Sequence, residues 1–312
     1  MESTVPPEIS KKFPLSHCPC TRTLPVVASA ERVEYSDTTC GRDAYERGTH
    51  QKVVGFSFYG NTSSGVHKAK QYFIGIKENL SLVSQLYGKD WSMRLYYDLE
   101  KDDPLLEDLC SLACEQPSLD LCYVRDLPGN PVKDASSVFA MNWRFLPTLD
   151  PQVDIFLCRD LDSRISAREV AAVAEWLESG QPIHSMRDHP AHTTPILGAA
   201  WGARITQPNI RHKWKRSWER ILGDKLAYAP RSAKGPDQDL LMVYVWSWGK
   251  HMAMEHDSYR CHMYPHSIGF PTERKDEDNN FVASVVSEGR GYLWKKCPKK
   301  CRRKGHEDWE HC

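Results

Sequence analysis

Neither sign of charge is in excess: 41 Lys and Arg stand against 41 Asp and Glu, so the formal net charge at pH 7 is 0. A dedicated nucleic-acid binder usually carries an overall basic surplus, and the balance argues against that class. No apolar run approaches the ~18 residues that a membrane-spanning helix requires. Met1 to Ser10 lack the basic, apolar and small-residue succession of a secretory signal. Cytoplasm and secretory-pathway lumen are therefore both open as locations. No internal repeat is present. The remaining composition, 40% hydrophobic and 26% charged, is that of an ordinary globular chain rather than a disordered one.

The chain reads as three regions. Residues 1–50 are rich in Pro, Ser, Thr and charge without sustained periodicity, an irregular arm that packs on a body or extends from it. Residues 51–286 carry a repeating strand and helix rhythm. Residues 287–312 form a basic, Cys-containing tail: Arg290 to Lys304 hold eight basic residues and no acidic one. Eleven cysteines fall at Cys18, Cys20, Cys40, Cys110, Cys114, Cys122, Cys158, Cys261, Cys297, Cys301 and Cys312. Cys158 lies in an apolar run and reads as a buried thiol. The clusters near the termini fit disulfides, a zinc site or free thiols, and an odd count leaves at least one cysteine unpaired in any intramolecular scheme.

Val53 to Phe58 is a β-branched and aromatic run expected to be a buried strand. Helical spacing follows over Val66 to Tyr87, with Ile74, Ile76, Leu80, Val83 and Leu86 on one face, and Trp91 to Tyr97 closes a β-α-β unit. Leu105 to Cys114 reads as a helix, Leu119 to Val124 and Val153 to Cys158 as strands. Ser166 and Glu169 then form a capping-box pair. Val170, Val173, Ala174 and Leu177 give an amphipathic stripe, and Gly180 stops the helix. Asp239 to Trp248 is a further helix, and Phe281 to Val286 a short strand or turn. The expected fold is α/β, a single Rossmann-type domain with a mostly parallel sheet flanked by helices.

The sharpest chemical constellation is Cys158-Arg159-Asp160-Leu161-Asp162-Ser163-Arg164, directly after the most strand-like segment. Residues two apart at a strand end project to one side, and ligands of open α/β sheets bind beyond the carboxyl ends of strands. Asp160 and Asp162 can there hold a hard divalent cation that leaves positions for phosphate oxygens. The competing reading is an acidic turn capping the next helix. A second cluster is His184-Ser185-Met186-Arg187-Asp188-His189-Pro190. Arg187 suits phosphate or carboxylate, and Asp188 suits a base or sugar-hydroxyl acceptor, against a polar loop bonded to itself. Asp237 and Asp239 open a helix as caps or as active-site carboxylates. His256 is a metal ligand in its neutral form or a structural histidine.

Tyr59-Gly60-Asn61, Trp143-Arg144-Phe145, RDLDSR at 159–164, Glu175-Trp176-Leu177, HSMRDHP at 184–190, ILGAAWG at 196–202, DQDLL at 237–241 and HDSY at 256–259 occur in this order. Together they resemble a glycosyltransferase-like family with bacterial polysaccharide-type and invertebrate relatives. The resemblance spans 53–286 and implies a GT-A-type fold, a nucleotide-sugar donor (UDP- or GDP-linked), a glycan or other hydroxyl acceptor, and Mn²⁺ or Mg²⁺. It implies Asp160, Asp162 and His256 as metal ligands, and Arg159 with Phe58, Tyr59 and Gly60 as donor contacts, Arg187 joining them. Asp237 and Asp239 would face donor or acceptor sugar, with Asp239 or Asp188 as general base. Ala199-Ala200 departs from the family pattern at the acceptor pocket, as does the polar Met141-Asn142 before Trp143.

Two other readings compete. An apolar strand followed by Asp-x-Asp also opens haloacid-dehalogenase-type phosphatases, with Asp160 as nucleophile, although that family places it on the first core strand. The alternative is a catalytically inactive glycan- or polyanion-binding protein, using the basic tail and the Arg211 to Trp218 segment. Within that segment, a helix with its aromatics on one face and its charges solvated is favoured over a nucleic-acid surface. Asn61-Thr62-Ser63 and Asn79-Leu80-Ser81 are glycosylation sequons; Asn61 is expected to stay bare because it would lie at the donor site.

Overall fold

The computed structural model describes residues 9–15, 17–26, 33–59, 66–129, 132–274, 281–285 and 295–312. Seven strands form the central sheet: β3 (Gln51–Tyr59), β4 (Trp91–Asp98), β5 (Leu119–Tyr123), β6 (Val153–Cys158), β7 (Ile183–Arg187), β8 (Trp201–Arg204) and β9 (Ala253–Asp257). Their spatial order is β5-β4-β3-β6-β8-β7-β9. All neighbouring pairs are parallel except those made by β8, which runs antiparallel to both β6 and β7. This is the mixed α/β architecture, with a mostly parallel sheet flanked by helices, that the strand and helix rhythm implies.

The helices lie where side-chain alternation demands. Val54, Phe56 and Phe58 of β3 pack with Ile76 and Leu80 of α2 (Val66–Leu82), with Leu109 of α3 (Pro104–Glu115) and with Trp176 of α4 (Ala167–Ser179). The alternate residue Val53 joins Phe156 and Cys158 of β6 on the other face. There the cover is the 3-10 segment Ala140–Leu149, α5 (Pro208–Leu222) and α6 (Pro236–Leu241). A period of two thus sends each strand's apolar residues into two separate cores. After α6 the chain continues through a π-turn, Met242–Trp246, into α7 (Ser247–Gly249).

Two stripes sit differently from the sequence reading. In α2 the apolar face is Phe73, Ile76 and Leu80, continued by Val83 in the turn that follows, whereas Ile74 is 51% exposed. In α4 the buried face is Glu169, Ala172, Val173 and Trp176, with Ala174 exposed. Ser166 caps α4 by accepting the Glu169 backbone N–H, and Gly180 adopts the left-handed φ of 71° that ends it. The Glu169 carboxylate does not complete the capping box. It accepts from Arg159 and from the Tyr87 hydroxyl instead.

The amino-terminal region holds more order than its composition implies. A short antiparallel hairpin, β1 (Ile9–Pro14) with β2 (Thr21–Val26), precedes the single-turn α1 (Arg42–Glu46). Its turn is stapled to α3 by Cys18–Cys110 and Cys20–Cys114, and Cys40–Cys122 ties the next segment to β5. Buried Arg22 of β2 reaches Asp43 of α1 and Asp120 of β5, so an ion-pair network ties the arm to the body. Residues 295–312, read as a tail separate from the fold, are likewise fastened to it. Cys261–Cys301 and Cys297–Cys312 close this segment, and Arg303 pairs with Glu175 of α4. Arg290, Tyr292 and Trp294 lie outside the described residues.

Among the described residues no helix is long and apolar enough to cross a membrane. The free cysteine is Cys158, fully buried, its thiol pushed up to about 12 by burial. Protein under native, non-reducing conditions is expected to show no thiol reactive toward a charged maleimide, and one per chain after denaturation. Mass spectrometry placing that label anywhere but Cys158 would contradict the pairing described.

Candidate active site

The direction of strand growth reverses at β3. From β3 the chain adds β4 and then β5 on one side, and then returns through the 3-10 segment to place β6 on the other. The carboxyl ends of β3 and β6 therefore flank a topological switch point, where open α/β sheets leave a crevice. A cavity of about 170 Å³ opens there, lined by Ser57, Phe58, Tyr59, Tyr72, Met141, Asp160, Leu161 and Asp162. Two of the three expected metal ligands, Asp160 and Asp162, are in it, as are Phe58 and Tyr59. Gly60 and Asn61 lie outside the described residues.

The loop carrying the two aspartates is held from below by α2. Buried Asn79 donates its amide to the Ser163 carbonyl (2.9 Å) and accepts the Ile165 N–H (3.2 Å). Its side chain is thus consumed by the loop, and the Asn79 sequon is closed to modification in the folded protein. Gly75 lets the helix come this close: a Cβ there would sit 2.0 Å from the Leu161 carbonyl oxygen. Arg164 adds a clamp by donating to the Leu161 and Ser163 carbonyls.

Arg144, from the 3-10 segment, approaches from the opposite face. Its guanidinium pairs with Asp160 and, at 2.8 Å, with Asp237 of α6, and its backbone N–H donates to Ser57 Oγ. Asp160 keeps 30% of its side chain exposed toward the cavity, against 2% for Arg144. Burial raises the Asp162 carboxyl above the usual range, opposed by a backbone hydrogen bond and by Arg144 and Arg164. Arg144 is the residue that sequence reasoning passed over as a site member. A charge between two aromatics, Trp143 and Phe145, is the signal that could have found it.

The other expected site residues are not brought to the cavity. Arg159 precedes Asp160 by one position, and alternation turns it to the opposite face, where it donates to Glu169 (2.7 Å) and to the Cys158 and Trp201 carbonyls. It is not a donor contact in this arrangement. Arg187 is buried between Asp257 (2.5 Å) and Glu255 (2.7 Å) and lies over the Tyr264 ring. Asp188 accepts from Arg168, Arg274, Ser258 and the Val282 N–H. Burial alone would raise its pKa, but the Arg168 and Arg274 guanidiniums hold it down at about 2, and no oxygen is left for a substrate. Asp237 is committed to Arg144, and Asp239, two residues on and so ~200° around the helix, lies on the exposed side of α6.

His256 lies on β9, three strand positions from β6, roughly 14 Å at the usual inter-strand spacing. Both ring nitrogens are engaged, Nδ1 with His184 Nε2 (2.9 Å) and Nε2 with Glu175 (3.1 Å), which also binds Arg303. Among the described residues no group of three or more His, Cys, Asp and Glu is arranged to hold a metal ion. Among the described residues that line the cavity, the carboxylates are those of Asp160 and Asp162. One or two carboxylates with phosphate oxygens suit Mg²⁺ or Mn²⁺, so the residues present fit such an ion when phosphate accompanies it.

No family model matches the chain, and no curated protein matches it. Several solved structures are similar to this chain, among them two at low identity. One is a glycosyltransferase involved in the glycosylation of the major capsid of PBCV-1, 14% identical, TM-score 0.37, covering 67% of this chain and 82% of that one. The other is S. aureus TarS 1-349, 10% identical, TM-score 0.35, covering 62% of this chain; this chain covers 55% of it. Both scores are below 0.5, and the functional reading rests on this chain's own residues.

Two outcomes check these assignments. Asn79→Ala, which orphans the Ile165 N–H and Ser163 carbonyl, is expected to cost roughly 1–3 kcal/mol in denaturant unfolding. Asp188 has a folded pKa below its unfolded value, so its contribution is present above about pH 4 and is lost as pH falls toward 2. At roughly 2 kcal/mol, that loss should steepen acid unfolding, and Asp188→Asn should flatten the profile below pH 4. An unchanged profile would remove Asp188 from its structural role.

Proposed function

We propose that the protein is a glycosyltransferase that moves a sugar from a nucleotide-sugar donor, UDP- or GDP-linked, to an acceptor hydroxyl, with Mn²⁺ or Mg²⁺ bound through Asp160 and Asp162. One observation carries this reading: the loop that follows β6 brings two carboxylates into the cavity at the β3–β6 switch point. The ion's chemistry there would be to neutralise charge on the departing diphosphate. Asp160 and Asp162 supply its oxygen ligands, and Asn79 and Arg164 fix the loop that presents them. Phe58, Tyr59 and Tyr72 offer aromatic surface on the same cavity for base or ribose. Arg144 sets the position of Asp160 rather than touching the sugar.

The phosphatase reading is weakened by topology. β6 is the fourth strand of the sheet in chain order, whereas the Asp-x-Asp of that family opens the core. The polyanion-binding reading is weakened by α5. Trp214 and Trp218 are both 1% exposed, Trp214 stacked on Trp201 and Trp218 donating to Thr148, so neither is available to stack on a ligand. The charges of that segment occupy the outer face of the helix. The five disulfides of the described residues suit an oxidising compartment, and we place the protein in the secretory-pathway lumen or outside the cell on that ground.

The test is a panel of UDP-, GDP- and CMP-sugars assayed with Mn²⁺ for thermal stabilisation and for sugar release or transfer. At least one donor should raise the melting temperature in a Mn²⁺-dependent way. Asp160→Asn and Asp162→Asn should each lower turnover about a hundredfold or more, since each removes charge stabilisation from the leaving group. Full activity in both variants, or a phosphorylated Asp160 after turnover of a phosphate ester, would refute the proposal.

A further inference from the structure

A guanidinium already occupies part of the electrostatic space that a metal ion would claim. Arg144 sets one terminal nitrogen on Asp160 and the other on Asp237, and only Asp160 of the two lines the cavity. Its seat is rigid. A Cβ on Gly198 would fall 2.4 Å from Asp237 Oδ2 and 2.9 Å from Arg144 Nη2, so the backbone itself walls the pair in. Nε has no hydrogen-bond partner, which leaves the contacts to the two carboxylates as the fixing ones. A cation approaching Asp160 alone meets a carboxylate whose charge is already shared and a like charge beside it. A cation arriving with a diphosphate brings its own negative charge, and the repulsion is offset.

We infer that Arg144 acts as a resident counter-ion, anchored by Asp237, that keeps Asp160 from taking up a bare divalent cation and so couples uptake of the ion to arrival of the nucleotide diphosphate. The inference rests on Asp160 and Asp162 being the metal-binding pair. It gives Asp237 the task of holding Arg144, in place of a direct contact with sugar. Arg144 is then a positioning residue whose removal strengthens one binding step while it harms another. A residue of merely structural importance would weaken both.

The experiment measures Mn²⁺ affinity of the full chain by electron paramagnetic resonance of the free ion, with and without UDP or GDP. The wild type should bind Mn²⁺ weakly alone and more tightly with at least one of the nucleotides. The paired variant Arg144→Gln/Asp237→Asn removes both charges together and leaves no unpaired buried ion. Without nucleotide it should bind Mn²⁺ about tenfold more tightly than wild type, as expected for loss of an adjacent like charge. Asp237→Asn alone should shift the nucleotide-free affinity the other way, because Arg144 then serves Asp160 only. Unchanged or weakened nucleotide-free affinity in the paired variant, with its circular dichroism intact, overturns the inference. So does a wild type that binds Mn²⁺ equally with and without both nucleotides. Asp160→Asn separates the two levels. If it leaves Mn²⁺ binding with nucleotide as in wild type, the metal assignment fails and takes the inference with it. If it abolishes that binding while the paired variant stays weak, only the inference fails.

Discussion

Burial disfavours the charge of the Asp162 carboxylate, and Asp160, two residues before it, is held by Arg144 at the rim of the same cavity. The chain accepts that cost at the place where β6 meets β3 across a change of sheet direction. Much of the surrounding structure can be read as the means of sustaining it. Asn79 and Gly75 press α2 against the loop, and Arg144 brings one positive charge from the opposite face. That single charge is divided between Asp160 and Asp237, so the described residues that line the cavity retain a negative balance. A cation with its own anionic partner is the chemistry that completes such a site.

The rest of the buried charge follows a different logic. Asp188, Arg168 and Arg274 form a closed set, as do Arg187, Glu255 and Asp257, and Arg94 with Asp150 and Gln51. Each is paired within the protein, the condition under which burial of a charge is tolerated. The Arg187 set joins β7 to β9 and the Arg94 set joins β4 to β3 and the segment before β6, while Arg274 of the Asp188 set also donates to the Cys312 carbonyl. The hairpin is fastened by its two disulfides and by Arg22 on Asp43 and Asp120, and residues 295–312 by their disulfides and by Arg303 on Glu175. The role of the paired sets is to fix the frame, and their internal pairing is what separates them from the pair of aspartates that faces the cavity.

The period-two and period-3.6 patterns made β3, β4, β5 and β6 and most of the longer helices legible, because burial on a known face is written into residue order. The position of Asp160 and Asp162 directly after a central strand pointed to the crevice, and both line the cavity, together with Leu161 between them in the loop. Arg159 faces away because its guanidinium is taken up by Glu169 and by the Cys158 and Trp201 carbonyls. Sequence does not record which partner a polar residue finds. Arg187, Asp188 and His256 have the residue types of a binding site, yet each is committed to neighbours contributed by segments distant along the chain. The antiparallel β8 was hidden because Trp201 to Arg204 is short and rich in small residues. Arg144 was hidden because its meaning lies in two carboxylates brought to it by the fold.

The most direct measurement is anomalous diffraction at the manganese edge from crystals of the protein grown with Mn²⁺ and UDP or GDP. The account expects one strong peak within coordination distance of both the Asp160 and Asp162 carboxylates, with diphosphate oxygens completing its shell. A peak at His256, or density for the nucleotide away from the β3–β6 cavity, would contradict it.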